Sequence, residues 1–291
     1  FATAGQGSVS WINGGAGTDS ILINSGVVFE TLGGGGLADT IKFNDTFAGG
    51  KIYGDGLGVT TAGTGTGGTA DGADLITSTG AAITGAASIY GAGGADTISF
   101  ADVTATAASV VDGGNGADSI LFADNNHAAT AGSLSLLGGN GADTITLTAA
   151  ATDANLQGGA GQDLISVEAA SAITISGGAG LDTITFTNGA VTAVSSIDGG
   201  TQADLISVGT AASALTAFNG GGTLAGGDGA DTISAAGFAS AGSIDGGAGN
   251  DTIRISSGAG VALFTAIGTI NGGAGTDTIS IDITTGDAFA N

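Results

Sequence analysis

The chain has 291 residues, of which 60 are glycine and none is proline or cysteine, and its formal net charge is −23. A chain this acidic lacks the positive surface that nucleic acids and anionic membranes require, so neither is an expected partner. The absence of cysteine excludes disulfides and thiolate metal sites, whereas a hydrophobic share of 42% is enough for a packed core.

The first predicted element is a glycine-rich turn that ends on an aspartate and leads into a strand, Asn13-Gly-Gly-Ala-Gly-Thr-Asp19-Ser-Ile21. Successive near-copies of this turn are 19 to 27 residues apart, with one interval of 35. That spacing is typical of a solenoid in which each coil contains two short strands and two turns. Twelve copies can be aligned on their aspartates: Asp19, Asp39, Asp74, Asp96, Asp118, Asp143, Asp163, Asp182, Asp204, Asp231, Asp251 and Asp277.

The residues on either side of each turn alternate between apolar and polar, as expected for strands with one buried face. Isoleucine stands two positions after every motif aspartate, from Ile21 to Ile279, and an aliphatic residue stands seven positions before it, from Ile12 to Ile270. The sequence therefore predicts an all-β fold. We expect a right-handed parallel β-solenoid (a β-roll or β-helix) of about twelve coils, with the glycine-rich turns along one edge.

We expect one solenoid domain over residues 1–291. The long interval comes from an insertion at residues 57–70, predicted to be an exposed loop, and residues 284–291 are predicted to form a short tail. Leu37 and Gln202 replace a motif glycine, so their two turns are expected to be weaker or distorted. The chain starts with Phe1 rather than Met, which indicates a processed chain or a segment of a longer protein.

Stacked coils would align the twelve motif aspartates along one edge, where like charges one strand apart repel. A hard divalent cation between neighbouring turns, with oxygen ligands from two aspartates and several carbonyls, removes that repulsion. Ca²⁺ suits such a site better than Mg²⁺, which keeps its waters, and twelve turns leave room for up to about eleven ions. The twelve aspartates are therefore the candidate metal ligands. Secondary candidates, equally open to a role as turn formers, are Asn13, Asp112, Asn115, Asn140, Asp198, Asp228, Asp245 and Asn271.

An alternative interpretation gives the motif aspartates a purely structural role. Asp and Asn commonly cap tight turns by accepting hydrogen bonds from the local backbone. That role does not by itself account for an aspartate in all twelve copies together with the glycines.

The turn resembles the Gly-Gly-x-Gly-x-Asp repeat of RTX (repeats-in-toxin) calcium-binding proteins, as in Asp245-Gly-Gly-Ala-Gly-Asn-Asp251. The resemblance implies a parallel β-roll, secretion, usually by a type I route, and folding when the chain meets extracellular calcium. It also implies that the twelve aspartates are calcium carboxylates and that the turn glycines supply carbonyl ligands. In the common form both edges of the roll bind metal, whereas this chain has one motif in each coil. RTX chains rich in small residues and lacking cysteine are similar to bacterial surface-layer proteins and large adhesins.

The sequence contains no convincing catalytic arrangement. His127 is the only histidine and is expected in a solvated loop, because it has no partner at a zinc-binding spacing. Gly63-Thr-Gly65-Thr-Gly-Gly68 matches a dinucleotide-binding pattern, but chance supplies such a match in a chain that is one-fifth glycine. We therefore expect no enzymatic activity and no cofactor other than Ca²⁺.

These observations favour an extracellular, calcium-loaded structural module of a bacterial cell surface: a surface layer, a filament or an adhesin. Solenoid ends without a cap are open sheet edges, so we expect a homo-oligomer, lattice or filament, with cell-surface polysaccharide as a further candidate partner. Two alternatives remain open. The chain could be the calcium-dependent tail of a secreted enzyme or toxin. It could also be an ice-binding adhesin domain that presents the residues after the motif aspartates: Ser20, Thr40, Thr97, Ser119, Thr144, Thr183, Thr232, Thr252 and Thr278.

Overall fold

The computed structural model describes residues 9–24, 29–44, 49–55, 71–78, 82–83, 85–103, 108–123, 134–186, 195–209, 222–236, 242–256 and 268–282. Every regular secondary-structure element in these segments is a β-strand. No helix capable of spanning a membrane occurs among them. Contacts divide the chain into an amino-terminal unit, Phe1–Ala149, and a carboxyl-terminal unit, Ala150–Asn291.

The amino-terminal unit contains two parallel sheets. The strands that precede the glycine turns form what we call the leading sheet, and the strands that follow the turns form the following sheet. In order of pairing, the leading strands are β1 (Val9–Ala16), β3 (Phe29–Gly36), β5 (Gly50–Asp55), β8 (Ala87–Gly93), β11 (Ser109–Asn115) and β13 (Leu134–Asn140). The following strands are β2 (Ser20–Ile23), β4 (Thr40–Phe43), β6 (Leu75–Ser78), β9 (Thr97–Phe100), β12 (Ser119–Phe122) and β14 (Thr144–Thr152). A short parallel pair, β7 (Ala82–Ile83) with β10 (Asp102–Val103), lies outside both sheets.

The carboxyl-terminal unit repeats this arrangement. Each strand pairs in parallel with the equivalent strand of the next coil, so equivalent residues of the repeat are neighbours, as Ile175 is of Ile197. The leading strands are β15 (Ala154–Ala160), β17 (Thr174–Ala179), β19 (Ser196–Thr201), β21 (Thr223–Asp228), β23 (Ser243–Ala248) and β25 (Ile270–Asn271). The following strands are β16 (Leu164–Ser171), β18 (Thr183–Phe186), β20 (Leu205–Val208), β22 (Thr232–Ala236), β24 (Thr252–Ser256) and β26 (Thr278–Asp282).

The core of each unit consists of the residue columns that the alternation predicts. Complete burial of an aliphatic side chain of this size contributes about 1.5–3 kcal/mol, so these columns are the main source of stability. The leading-sheet column, at 0–1% exposure, is Leu32, Ile52, Ile89, Val111, Leu136, Leu156, Ile175, Ile197, Leu224 and Ile244. The following-sheet column, equally buried, is Ile41, Ile76, Ile98, Ile120, Ile145, Ile165, Ile184, Ile206, Ile233 and Ile253.

The predicted parallel β-solenoid is confirmed, but it has about eight turns rather than twelve coils. Most return segments, which connect a following strand to the next leading strand, lie at least partly outside the described residues. The insertion at 57–70 and the tail at 284–291 also lie outside them. The assignment of a single domain stays a prediction.

Candidate functional site

The motif aspartates form rows of hydrogen bonds that join successive coils, and we call each row the aspartate ladder of its unit. In every pair, the backbone N–H of one aspartate donates to the Oδ1 atom of the aspartate in the next coil. In the amino-terminal unit these pairs are Asp19 with Asp39 (2.6 Å), Asp39 with Asp74 (2.7 Å), Asp74 with Asp96 (2.7 Å), Asp96 with Asp118 (2.8 Å) and Asp118 with Asp143 (2.8 Å). In the carboxyl-terminal unit they are Asp163 with Asp182 (2.8 Å), Asp182 with Asp204 (2.8 Å), Asp204 with Asp231 (2.7 Å), Asp231 with Asp251 (2.8 Å) and Asp251 with Asp277 (3.0 Å).

The ladder differs from the local turn cap considered above. Each donor and its acceptor are 19 to 35 residues apart in the chain, so the bond connects two coils instead of closing one turn. The donor–acceptor distances of 2.6 to 3.0 Å are those of well-formed N–H···O hydrogen bonds. The motif aspartates therefore set the register between coils, in addition to any role toward a ligand.

In nine of these residues the second carboxylate oxygen is buried and has no hydrogen-bond partner. A buried polar atom without a partner costs about 1–3 kcal/mol, and more if it carries charge. A bound proton or cation would remove that cost. The unpartnered atoms are the Oδ2 atoms of Asp19, Asp39, Asp74, Asp96, Asp118, Asp182, Asp204, Asp231 and Asp251, and all of these residues except Asp19 are 1–3% exposed.

The glycine that opens each turn makes room for this oxygen. A β-carbon on Gly199 would lie 2.6 Å from the Oδ2 of Asp204 and 2.5 Å from the carbonyl oxygen of Gly226 in the next coil. Only a residue without a β-carbon fits there. The turn thus places a carboxylate oxygen and a carbonyl oxygen beside the same backbone atom. The same pair of neighbours recurs at Gly14, Gly34, Gly54, Gly91, Gly113, Gly158, Gly177, Gly226 and Gly246.

The turns stack on one another through backbone hydrogen bonds. The N–H of Gly116 donates to the carbonyl of Asn140 at 2.7 Å, and the N–H of Gly249 donates to the carbonyl of Ala274 at the same distance. Gly116 has a φ of 136°, and a β-carbon on it would collide with the carbonyl of Gly94 in the preceding coil. Glycine is therefore needed here both for its backbone angle and for the close approach of coils.

The two turns that lack a motif glycine keep their place in the ladder. Leu37 and Gln202 adopt left-handed φ values of 74° and 78°, a conformation that costs a non-glycine residue roughly 1–2 kcal/mol. The aspartates of these turns, Asp39 and Asp204, still accept their ladder hydrogen bonds at 2.6 and 2.8 Å. The substitutions thus leave the position of the carboxylates unchanged.

Burial raises the pKa values of eight ladder carboxyls above their ordinary range: Asp39, Asp74, Asp96, Asp118, Asp143, Asp182, Asp204 and Asp231. The pKa of Asp96 rises to about 8, and those of Asp74 and Asp204 rise to about 7. Burial is the largest cause, and the charges of neighbouring aspartates add to it, while the ladder hydrogen bond lowers each pKa. Near neutral pH these groups therefore favour binding either a proton or a positive charge.

The raised pKa values predict an unusual pH dependence of stability. Without calcium, the folded chain should be more stable at about pH 5.5 than at about pH 8.5. The folded-state pKa values exceed the ordinary value of 3.8, so the folded state binds more protons than the unfolded state. The resulting stabilisation is complete at low pH and is lost as the pH rises through about 6 to about 8. Urea unfolding followed by circular dichroism at both pH values measures it. Stability that increases toward the higher pH would contradict the prediction.

The secondary candidates take no part in the ladder hydrogen bonds of the described residues, although the negative charges of Asp112 and Asp198 help to raise the pKa values of Asp118 and Asp204. The Oδ1 atoms of Asn13 and Asn271 accept hydrogen bonds from N–H groups two residues ahead, at 3.2 and 3.1 Å, which is turn-forming geometry. The Nδ2 of Asn140 donates to the Oδ1 of Asn115 at 2.8 Å. All eight are exposed or half-buried, including Asp112, Asp198, Asp228 and Asp245.

One buried carboxylate was not among the sequence candidates. Asp55 is 7% exposed and accepts hydrogen bonds from the N–H groups of Gly72 (3.1 Å) and Gly93 (3.3 Å). The pKa of Asp55 is raised to about 6, and burial is the largest cause. Asp55 lies in Tyr-Gly-Asp55-Gly, just before the insertion. The sequence identified it only weakly as a site residue, because no other copy of the turn has a buried acid at that position.

The donor set at the ladder suits a hard cation. In the described segments no three His, Cys, Asp or Glu side chains converge on one point. A cation at the ladder would therefore take at most two carboxylates and complete its shell with carbonyl oxygens, as calcium sites can. Comparison of the chain with protein-family models, curated proteins and solved structures finds no match.

Proposed function

We propose that this chain is an RTX-like, calcium-binding structural module in which Ca²⁺ ions lie along the aspartate ladder. The observation that carries the proposal is the repeated buried Oδ2 atom without a partner, set beside a carbonyl oxygen of the next coil. In Asp204, for example, one carboxylate oxygen accepts the backbone N–H of Asp182, so the other oxygen is the one available to an ion.

Calcium is favoured over other cations by the kind of ligand. Carboxylate and carbonyl oxygens suit Ca²⁺, which tolerates irregular shells of about six to eight ligands, whereas Mg²⁺ demands an octahedral shell and keeps its waters. The motif aspartates, from Asp19 to Asp277, supply the carboxylate ligands, and each of the ten described ladder steps offers one position for an ion. Binding would also neutralise much of the formal charge of −23.

The stacked coils that the repeat forms support a structural role. Both units consist of stacked coils with apolar interiors, and the small polar side chains between the core positions are exposed or half-buried. Such a module fits an extracellular bacterial surface layer, filament or adhesin, where calcium is abundant. The tail of a secreted enzyme and an ice-binding domain are the alternatives, and no described feature favours either over the structural role.

Calcium titration of the purified chain tests the proposal. We expect β-structure, followed by far-ultraviolet circular dichroism, and resistance to urea to increase with free Ca²⁺. A single site held at 100 times its Kd contributes about 2.7 kcal/mol to the free energy of unfolding. Mg²⁺ at the same concentration is the matched control and should have a much smaller effect. Identical unfolding curves in calcium and in chelator would contradict the proposal.

A further inference from the structure

One turn of the repeat is interrupted in the sequence. In the other turns seven consecutive residues end on the motif aspartate. In the turn that leads to Asp74, residues 56–71 separate the third position, Asp55, from the fifth position, Gly72. Strand pairing supports this alignment, because Asp55 pairs with Gly35, the third residue of the preceding turn. The two halves of the interrupted turn therefore lack the short backbone connection of the other turns.

The backbone at Asp55 also departs from the repeat. In the other described turns the third residue has a left-handed φ, from 87° to 137°, whereas Asp55 does not. The pairing of the leading strands changes at the same point. Between β8 and β11 it reaches the third position, where Ala92 pairs with Gly114. Between β5 and β8 it stops two residues earlier, where Tyr53 pairs with Tyr90. The backbone thus stops pairing with the next coil where the turn is interrupted.

The carboxylate of Asp55 makes contacts in place of the interrupted backbone. In other turns the N–H at the fifth position donates to a carbonyl of the next coil, as Gly116 donates to Asn140 at 2.7 Å. The equivalent N–H of Gly72 donates instead to the Oδ1 of Asp55 at 3.1 Å. The Oδ2 of Asp55 accepts the N–H of Gly93, the fourth residue of the next turn, at 3.3 Å. One buried carboxylate thus joins the two halves of its own turn and connects them to the next coil.

The aspartate ladder passes through the interrupted turn without a change of register. The N–H of Asp39 donates to the Oδ1 of Asp74, and the N–H of Asp74 donates to the Oδ1 of Asp96, both at 2.7 Å. The Oδ2 of Asp74 is buried without a partner, beside Gly54, as in the uninterrupted turns. Gly72 lies only two residues before Asp74, so the hydrogen bond that holds Gly72 also fixes the backbone that leads into the ladder.

We propose that Asp55 is a positioning residue of the aspartate ladder: its carboxylate replaces the missing turn backbone and holds Asp74 in register for the ions on either side. Both oxygens of Asp55 accept N–H groups, so this residue acts through hydrogen bonds and is not a further ligand. The part of the inference that concerns ions rests on the proposed function, whereas the hydrogen-bond role does not depend on it.

Removal of the carboxylate tests this role. In Asp55→Ala the N–H groups of Gly72 and Gly93 lose their acceptor, so their hydrogen–deuterium exchange, followed by NMR in saturating Ca²⁺, should accelerate by at least about tenfold. Equilibrium dialysis should show a loss of about one or two bound ions, since two ladder steps meet at Asp74. Asp71→Asn is the matched control. It removes a charge from an exposed residue of the same turn and should change the exchange rates by less than about twofold.

A conservative variant distinguishes a hydrogen-bond role from a packing role. Asp55→Asn keeps one acceptor oxygen and nearly the same shape, so one of the N–H groups of Gly72 and Gly93 should stay protected while the other exchanges faster. If both N–H groups stay as protected as in the unchanged chain, or neither does, the proposal is overturned.

A shortened chain tests why this turn needs Asp55. Removal of residues 56–70 restores seven consecutive positions from Tyr53 to Asp74, so the backbone can close the turn without the carboxylate. In this chain Asp55→Ala should change the exchange of Gly72 by less than about twofold. Equal acceleration at both chain lengths, or none in the full chain, would contradict the positioning role. Exchange responds to the lost acceptor whether or not the chain binds calcium, so a failed calcium site and a failed positioning role give different results.

Discussion

Replacing Asp204 with asparagine is expected to stabilise the calcium-free chain and to weaken its response to calcium. Asparagine keeps the Oδ1 atom that accepts the N–H of Asp182 at 2.8 Å. Its amide group takes the place of the unpartnered Oδ2, and we expect it to donate to the carbonyl of Gly226, which lies beside the same glycine, Gly199. Giving a buried group its missing partner contributes about 1–3 kcal/mol in the absence of the ion. In calcium, the same change removes a charged ligand and should lower the number of bound ions by about one or two.

Equilibrium dialysis gives the number of bound Ca²⁺ ions, and urea unfolding in chelator and in calcium gives the two free energies of unfolding. Asp153→Asn is the matched control, since it removes the same charge from an exposed residue of the same unit. Its left-handed φ of 52° is also one that asparagine tolerates. The control should leave calcium binding unchanged. If Asp204→Asn binds as many ions as the unchanged chain, the ladder is not the calcium site.

Replacing Phe100 with alanine is expected to reduce the free energy of unfolding by about 3–5 kcal/mol. The side chain is 1% exposed, and its ring centroid lies 6.2 Å from that of Phe43 and 5.7 Å from that of Phe122. Phe43 can approach Phe100 because the strand between theirs carries the small residue Ser78 at this position. Alanine would leave a cavity in the middle of this aromatic stack, and the backbone hydrogen bonds between coils limit how far it can collapse.

Urea unfolding at saturating Ca²⁺ measures this loss, because the ion then contributes equally to both proteins. Ser99→Ala is the matched control on the same strand: Ser99 is half-buried between two core positions and should change stability by no more than about 0.5 kcal/mol. A loss of less than about 1 kcal/mol for Phe100→Ala would show that the aromatic column contributes little to the amino-terminal unit.

Much of the candidate site could be predicted from the sequence. A strand with one buried face shows alternation, so Ile98 and Val111 were assignable to the core from their spacing around the turn. Stacking of equivalent residues follows once every coil repeats the same elements. The placement of the motif aspartates in one row within each unit depends only on that stacking.

Other features could not be predicted, because they depend on distances between coils. Spacing along the chain does not show that the Oδ1 atom of Asp118 accepts the N–H of Asp96, while the Oδ2 atom of Asp118 has no partner. It does not show that Asp55 is buried against Gly72 and Gly93, since those contacts reach across the insertion. Nor does it show that Asn13 bonds within its own turn, away from the ladder.

The sequence by itself determined the repeat, the parallel β-solenoid, the inward columns and the identity of the ladder residues, because each of these is a periodic property of a single coil. Only the tertiary structure decided which carboxylate oxygen of a ladder aspartate accepts the N–H of the neighbouring coil, and which glycine makes room for the other oxygen. It also decided which isoleucines are exposed on the last described coil. These features arise where one coil meets the next. They depend on a stacking distance and a hydrogen-bond direction that no one copy of the motif contains.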